Sequence, residues 1–214
     1  MERPTRIYLV RHGETEWNSL GQYQGHRDVD LSDLGRRQAV CLQERFRGEQ
    51  LAAFYASDLR RAAETAAVIA APHGLEVQQL PALREMDFGH WEGLTHGQIA
   101  ALYPAEFKAW FRGPGTVEVP GGESFARVQQ RAWAALTEIV ARHSGRKVLV
   151  VSHGGTIRAL ICAALGLDAD ALWHLALDNA AVSVLDFYSQ GPVLSLLNDC
   201  SHLRCLYKPP AGQS

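Results

Sequence analysis

The stretch KVLVVSHGG, Lys147 to Gly155, sets a nearly continuous apolar run against an abrupt polar end and a glycine pair. The run is short and rich in β-branched valine, which favours a strand. It does not alternate, so both of its faces must be buried. That is the mark of a central strand in a parallel sheet with helices on either side. A second stretch, IYLVRHG from Ile7 to Gly13, ends in the same way.

The rest of the chain supplies the other layers. Strands are expected at Ile7–Arg11, Ala53–Ala56, Glu76–Leu80, Lys147–Ser152, Val182–Phe187 and Val193–Leu197. Helical patterns fill the gaps. Ser32 can cap a helix carrying Ala39, Leu42 and Phe46 at helical spacing. Asp58 to Ala71 is rich in alanine. Ser124 can cap a long helix with Phe125, Val128, Ala132, Leu136 and Ile139 on one face. Gly154 to Leu165 follows the central strand directly. Alternation of strands and helices means an α/β layered fold. The 214 residues suit one domain, with no repeat or linker. Residues 93–122 read as a short helical and loop insertion over the strand ends, and 207–214 as a fraying tail.

Composition narrows the partners. A net charge of −2 gives no basic field for nucleic acid. No apolar run approaches the length of a membrane span or signal peptide, so a cytoplasmic location is expected. The cysteines, Cys41, Cys162, Cys200 and Cys205, read as free thiols, because no second CxxC or HxH completes a metal set. No metal and no cofactor are expected.

The chemistry gathers where strands end. One strand ends in Arg11-His12-Gly13, another leads into Ser57-Asp58-Leu59-Arg60-Arg61, and the central one ends in Ser152-His153-Gly154-Gly155. Ligands of open α/β sheets bind at these carboxyl ends. Gly154 and Gly155 open a helix whose first amides suit a phosphate. Arginine forks suit it as well.

In order along the chain stand RHGETEWN, GQYQGHRDVDLSDLG, SDLRRAAETA, LREMDFGHWEG and VVSHGGTIR, then PGGES, WHLALDNAAVSVL and LNDCSHL. Together these blocks resemble the histidine phosphatase superfamily, the phosphoglycerate mutase-like family. The resemblance implies a three-layer α/β/α sandwich around a mostly parallel sheet. It also assigns roles. His12 is the nucleophile that becomes phosphohistidine. Arg11, Arg61 and His153 form the phosphate pocket, and Arg60 is exposed. Asn18 is a further phosphate contact, Gln24 and Gly25 are substrate-proximal, and Glu85 is the proton donor. Glu64 departs from the commonest pattern.

Phosphoryl transfer needs positioning and charge stabilisation. Arg11, Arg61, a protonated His153 and the helix start can supply both. His12 must attack as neutral imidazole, its other nitrogen donating to a carbonyl near Gly13. Glu85 can protonate the leaving oxygen if its pKa is raised. Asp87 is a rival, since an extended segment would put both carboxylates on one face. Glu14 is a candidate pocket wall and Glu16 faces solvent. His26, His90, His96 and His143 are expected on the surface, and His174 is expected to pack.

Within the family, a phosphatase is favoured over a mutase, because the insertion offers only Lys108 and Arg112 as extra basic residues. The later motifs resemble α-ribazole phosphatases most, and also metal-independent phosphoserine phosphatases and broad-specificity members. Trp91, Phe107, Trp110 and Phe111 could stack on a base-like leaving group or form the insertion's core. A catalytically inactive phosphate-binding module is the reading of a different class. The expected partner is a small phosphorylated metabolite. A homodimer is left open, through the strand near Val182–Phe187 or an exposed edge.

Overall fold

The computed structural model describes residues 3–206. The segment 207–214, read above as a tail, lies outside the described residues. All six expected strands form: β1 (Thr5–Arg11), β2 (Ala53–Ala56), β3 (Val77–Gln79), β4 (Lys147–Ser152), β5 (Val182–Tyr188) and β6 (Gly191–Asp199). They make one sheet in the order β3-β2-β4-β1-β5-β6. β4 pairs in parallel with β1 and β2, and β2 with β3. β5 runs antiparallel to both β1 and β6.

The helices are α1 (Glu16–Ser19), α2 (Asp33–Phe46), α3 (Arg60–Ala70), α4 (His96–Leu102), α5 (Pro104–Arg112), α6 (Phe125–Arg142) and α7 (Gly154–Ala164). Side chains of successive strand residues point to opposite faces. In β1, Tyr8 and Val10 therefore join Leu42 and Phe46 of α2 and Ala62, Ala66 and Ile69 of α3. Ile7 and Leu9 join Ala132, Leu136 and Ile139 of α6 and Ile157, Leu160 and Ile161 of α7. One sheet thus carries two cores, and the sandwich has three layers.

Ser32 caps α2, its hydroxyl accepting from the Gly35 amide. Ser124 sits at the cap position of α6, but its side chain makes no capping bond. A third core forms from Met86, Phe88, Trp91, Ile99, Phe107 and Trp110 with the start of α6. Trp91 and Trp110 are fully buried in it, at 0% and 1% exposure, and Phe111 is 39% exposed. The first two cannot stack on a ligand in this conformation. Cys41 on α2 lies 3.5 Å, sulfur to sulfur, from Cys205, a pairing across the sequence that spacing does not reveal.

Candidate active site

Arg11 of β1 stands opposite Ser152 of β4, so the two parallel strands end at one level. The next residue on each is a histidine. The His12 amide donates to the Ser152 carbonyl at 3.0 Å, extending the ladder by one rung. Neighbouring strands lie about 4.8 Å apart, and the two imidazole centroids lie 5.1 Å apart. Register alone therefore pairs the histidines.

Both rings are buried. Nδ1 of His12 donates to the Gly13 carbonyl at 2.7 Å, as expected. A carbonyl only accepts, so Nδ1 carries the proton and Nε2 keeps its lone pair. Burial, then the charges of Arg61 and Arg11, holds His12 well below the usual imidazole range. The same three causes, with His12 itself, hold His153 well below it. The expectation of a protonated His153 is corrected. Two guanidinium groups in a dry site favour its neutral form.

Arg61 is buried near the start of α3, donating to the carbonyls of Arg27 and Gly25, each at 2.8 Å. Arg11 donates to the Leu177 carbonyl at 2.6 Å. Burial lowers each guanidinium to about 10, so both stay charged at neutral pH. Arg60 is exposed and paired with Asp28 and Asp30. Arg11 Nε, Arg61 Nε, both nitrogens of His153 and Gln24 Oε1 are buried without a partner. Each such group costs about 1–3 kcal/mol when unmet. The guanidinium and imidazole orphans, gathered where β1, β2 and β4 end, describe a cradle for an anion, whereas Gln24 Oε1 is an acceptor and offers it no hydrogen bond.

Glu85 completes the cradle from the side. Its Oε2 accepts from Gly155 N–H at 3.0 Å, and its Oε1 from Thr156 N–H at 3.2 Å and Met86 N–H at 2.9 Å. The first turn of α7 was expected to face a phosphate. Two of its amides hold this carboxylate instead, because a helix N-terminus attracts the nearest anion. Gly155 makes room for it, since a Cβ there would stand 2.4 Å from Glu85 Oε1. Asp87 turns elsewhere. It accepts from the Gly89 amide at 2.9 Å and faces His26 at 3.8 Å. The alternation argument fails because the segment is not a strand. Its carbonyls are held by side chains: Arg84 O by Thr156 and Arg131, and Glu85 O by Arg131 and His26.

Asn18 caps α1 together with Thr15, and its Oδ1 also accepts from Asn179 at 3.0 Å. Asn179 donates to the His12 carbonyl as well, at 3.3 Å. Sequence reasoning passed over it, although it precedes Ala180, a non-glycine residue at φ 58°. Gly25 has φ +52°, and a Cβ there would stand 2.0 Å from Glu92 Oε1. It serves the site through its carbonyl on Arg61. Glu14 accepts from Ser32, and Glu16 is exposed.

The bystander histidines divide. His90 and His96 are exposed. His26 and His143 are half-buried, His26 on Glu85 and His143 on the Tyr55 hydroxyl. Each was expected on the surface, and each finds a polar partner that only the fold supplies. His174 was expected to pack, but it is exposed on a 3-10 turn. Among the described residues no three His, Cys, Asp or Glu side chains cluster as metal ligands. No helix there is long and apolar enough to cross a membrane.

A family model described as the histidine phosphatase superfamily (branch 1) matches residues 7–200. Phosphoserine phosphatase 1 of Hydrogenobacter thermophilus is 40% identical over 202 residues, covering 94% of this chain and 96% of that one. The structure of YhfR from Bacillus stearothermophilus superposes with a TM-score of 0.88 at 36% identity, covering 93% and 99%. A putative α-ribazole-5′-P phosphatase from Escherichia coli gives 0.84 at 32%, covering 92% and 97%. The chain belongs to the histidine phosphatase superfamily, branch 1.

Proposed function

We propose that this phosphatase hydrolyses small phosphomonoesters through a phosphohistidine on His12, with phosphoserine as its first substrate. The observation that carries the reaction type is the His12 Nδ1–H bond to Gly13 O. It aims a free Nε2 lone pair among unpartnered donors.

The phosphate sits between Arg11, Arg61 and His153, with Asn18, Gln24, Gly154 and Gly155 around it. The Arg11, Arg61 and His153 donors stabilise charge on its equatorial oxygens, while the Gly155 amide stays on Glu85. His12 Nε2 attacks in line, forming a P–N bond as the P–O bond to the leaving group breaks. Glu85 gives the leaving oxygen its proton. Water then attacks the phosphohistidine, returning a proton to Glu85 and releasing inorganic phosphate. A phosphate dianion beside His153 favours the imidazolium that the unliganded cradle disfavours. The helices α4 and α5 serve as the cover.

Phosphoserine leads because the relative of that name is 40% identical over nearly its whole length, against 32% for the putative α-ribazole-5′-P phosphatase. α-Ribazole 5′-phosphate was the leading expectation from sequence and is now the second reading. Burial of Trp91 and Trp110 removes its stacking rationale. It retains the partly exposed Phe111 and Trp173, stacked parallel at 5.2 Å. Against a mutase, the insertion carries only Lys108 and Arg112 as basic residues, and both are exposed. A cytoplasmic location and two-fold association remain parts of the reading, the second supported by the exposed edge residues Val193 and Leu197 of β6.

The test compares kcat/KM, with a chelator present, for phosphoserine, α-ribazole 5′-phosphate, 3-phosphoglycerate and p-nitrophenyl phosphate. Phosphoserine is expected to lead. A hundredfold lead for α-ribazole 5′-phosphate transfers the assignment, and a flat profile makes the enzyme broad-specificity. Formation of 2-phosphoglycerate from 3-phosphoglycerate would mark a mutase. Loss of all turnover in His12→Ala is expected in every phosphatase case.

A further inference from the structure

A cation that the reaction does not use stands at the edge of the cradle. Arg158 lies one turn into α7, on the face of Gly154. A Cβ at Gly154 would stand 3.3 Å from Arg11 Nε and 3.4 Å from Arg158 Nη1. The two guanidinium groups therefore face each other across that glycine. Arg158 Nε donates to the Leu175 carbonyl at 2.7 Å, and its terminal nitrogens have no partner among the described residues.

That is unusual for this molecule. The other half-buried arginines outside the cradle each meet a carboxylate: Arg6 meets Asp186, Arg45 Asp199, Arg84 Asp58 and Arg131 Glu123. Among the described residues Arg11, Arg61 and Arg158 meet none within ion-pair distance. When Glu85 carries the proton it delivers, three guanidinium groups stand at the site, and Asp178, Asp28 and Glu92 act on them only from beyond ion-pair distance. A phosphomonoester dianion neutralises two of them. The third, beside Arg11 across Gly154, suits one more negative group of the same ligand, and a planar fork with its Nη groups free matches a carboxylate.

We infer that Arg158 is a specificity residue that binds the carboxylate of the substrate's leaving group, so that the site selects phosphorylated small carboxylic acids. This rests on the phosphoserine reading above and gives it a residue. The competing role for Arg158 is structural. Its bond to Leu175 O, beside that of Arg11 to Leu177 O, pins the segment before β5.

The experiment measures kcat/KM for phosphoserine and for phosphoethanolamine, which lacks only the carboxylate. Both are run on the wild type, Arg158→Ala and Arg158→Lys, with melting curves to confirm folding. A charge-assisted hydrogen bond is worth about 1.5–3 kcal/mol, roughly 10- to 150-fold. The wild type is expected to prefer phosphoserine, Arg158→Ala to lose that preference by this factor, and Arg158→Lys to keep part of it. An equal fall on both substrates overturns the inference in favour of the structural role. So does a preference that survives in Arg158→Ala. A wild type indifferent to the carboxylate overturns the substrate class as well, while His12→Ala still tests the chemistry separately. If Arg158→Ala does not fold, Arg158→Lys decides by the same ratio.

Discussion

Gly155→Ala separates proton donation from the rest of catalysis. The added Cβ would stand 2.4 Å from Glu85 Oε1 and 2.9 Å from Phe125 Cε1. A carbon–oxygen contact of about 3.5 Å or more is ordinary, so the carboxylate must retreat by about 1 Å. Its bonds from Gly155 and Thr156 stretch with it. A displacement of that size in a catalytic group costs about 10²-fold, and complete loss of general acid help about 10²–10⁴-fold. The helix itself tolerates the change, because alanine is favoured over glycine there by about 1 kcal/mol. This offsets part of the strain on Phe125, and the melting temperature should move little. The assay pairs phosphoserine, whose alkoxide needs a proton, with p-nitrophenyl phosphate, whose phenolate leaves without one. kcat on phosphoserine should fall about a hundredfold, and kcat on p-nitrophenyl phosphate far less. An equal fall on both, or none on phosphoserine, would refute Glu85 as the proton donor held by α7.

Three further outcomes follow from the same geometry. His12 and His153 are held well below 6.5 in the fold, so unfolding takes up protons once pH drops below 6.5. Stability should fall with pH there by about 1 kcal/mol per unit for each histidine. The carboxylates of Asp58 and Asp186, kept below 3.8 by Arg84 and Arg6, lose their contribution only at lower pH. Melts from pH 6.5 to 5 should therefore show a flatter slope in His153→Gln, and an unchanged slope contradicts the assignment. Gly25→Ala forces a side chain into φ +52° against Glu92 and Phe88. It should cost about 1–2 kcal/mol from the backbone alone, seen in denaturant melts, and should weaken phosphate or vanadate inhibition by releasing Arg61. Arg61→Lys keeps the charge but cannot bond both Gly25 O and Arg27 O while facing the phosphate. Vanadate should bind it at least tenfold more weakly, by roughly 1.5 kcal/mol, and wild-type affinity would contradict the cradle.

The strands and both histidine turns were legible because apolar runs, β-branched residues and glycines act locally. Burial of Lys147–Ser152 on both faces followed from its lack of alternation. The antiparallel direction of β5 was not legible, because its burial looks like that of a parallel strand. Residues that work through long-range contact also escaped notice. Asn179 reaches His12 from a loop before β5, Arg131 crosses from α6 to the Glu85 segment, and Arg158 points back along its own helix. The aromatic cover was readable as apolar but not as closed. Only packing shows that Trp91 and Trp110 meet each other edge to face at 5.5 Å. The lowered basicity of His153 comes from its burial and from Arg61 of α3 and Arg11 of β1 converging on it, which no local pattern records.

Every step of the proposed hydrolysis passes through covalent transfer to His12. The direct measurement is rapid quench of the enzyme with phosphoserine into alkaline denaturant, followed by peptide mass spectrometry. A base-stable, acid-labile phosphoryl group is expected on His12, formed within the first turnover and absent in His12→Ala. Turnover without any phosphoenzyme, or a phosphoryl group on another residue, would contradict covalent transfer to His12.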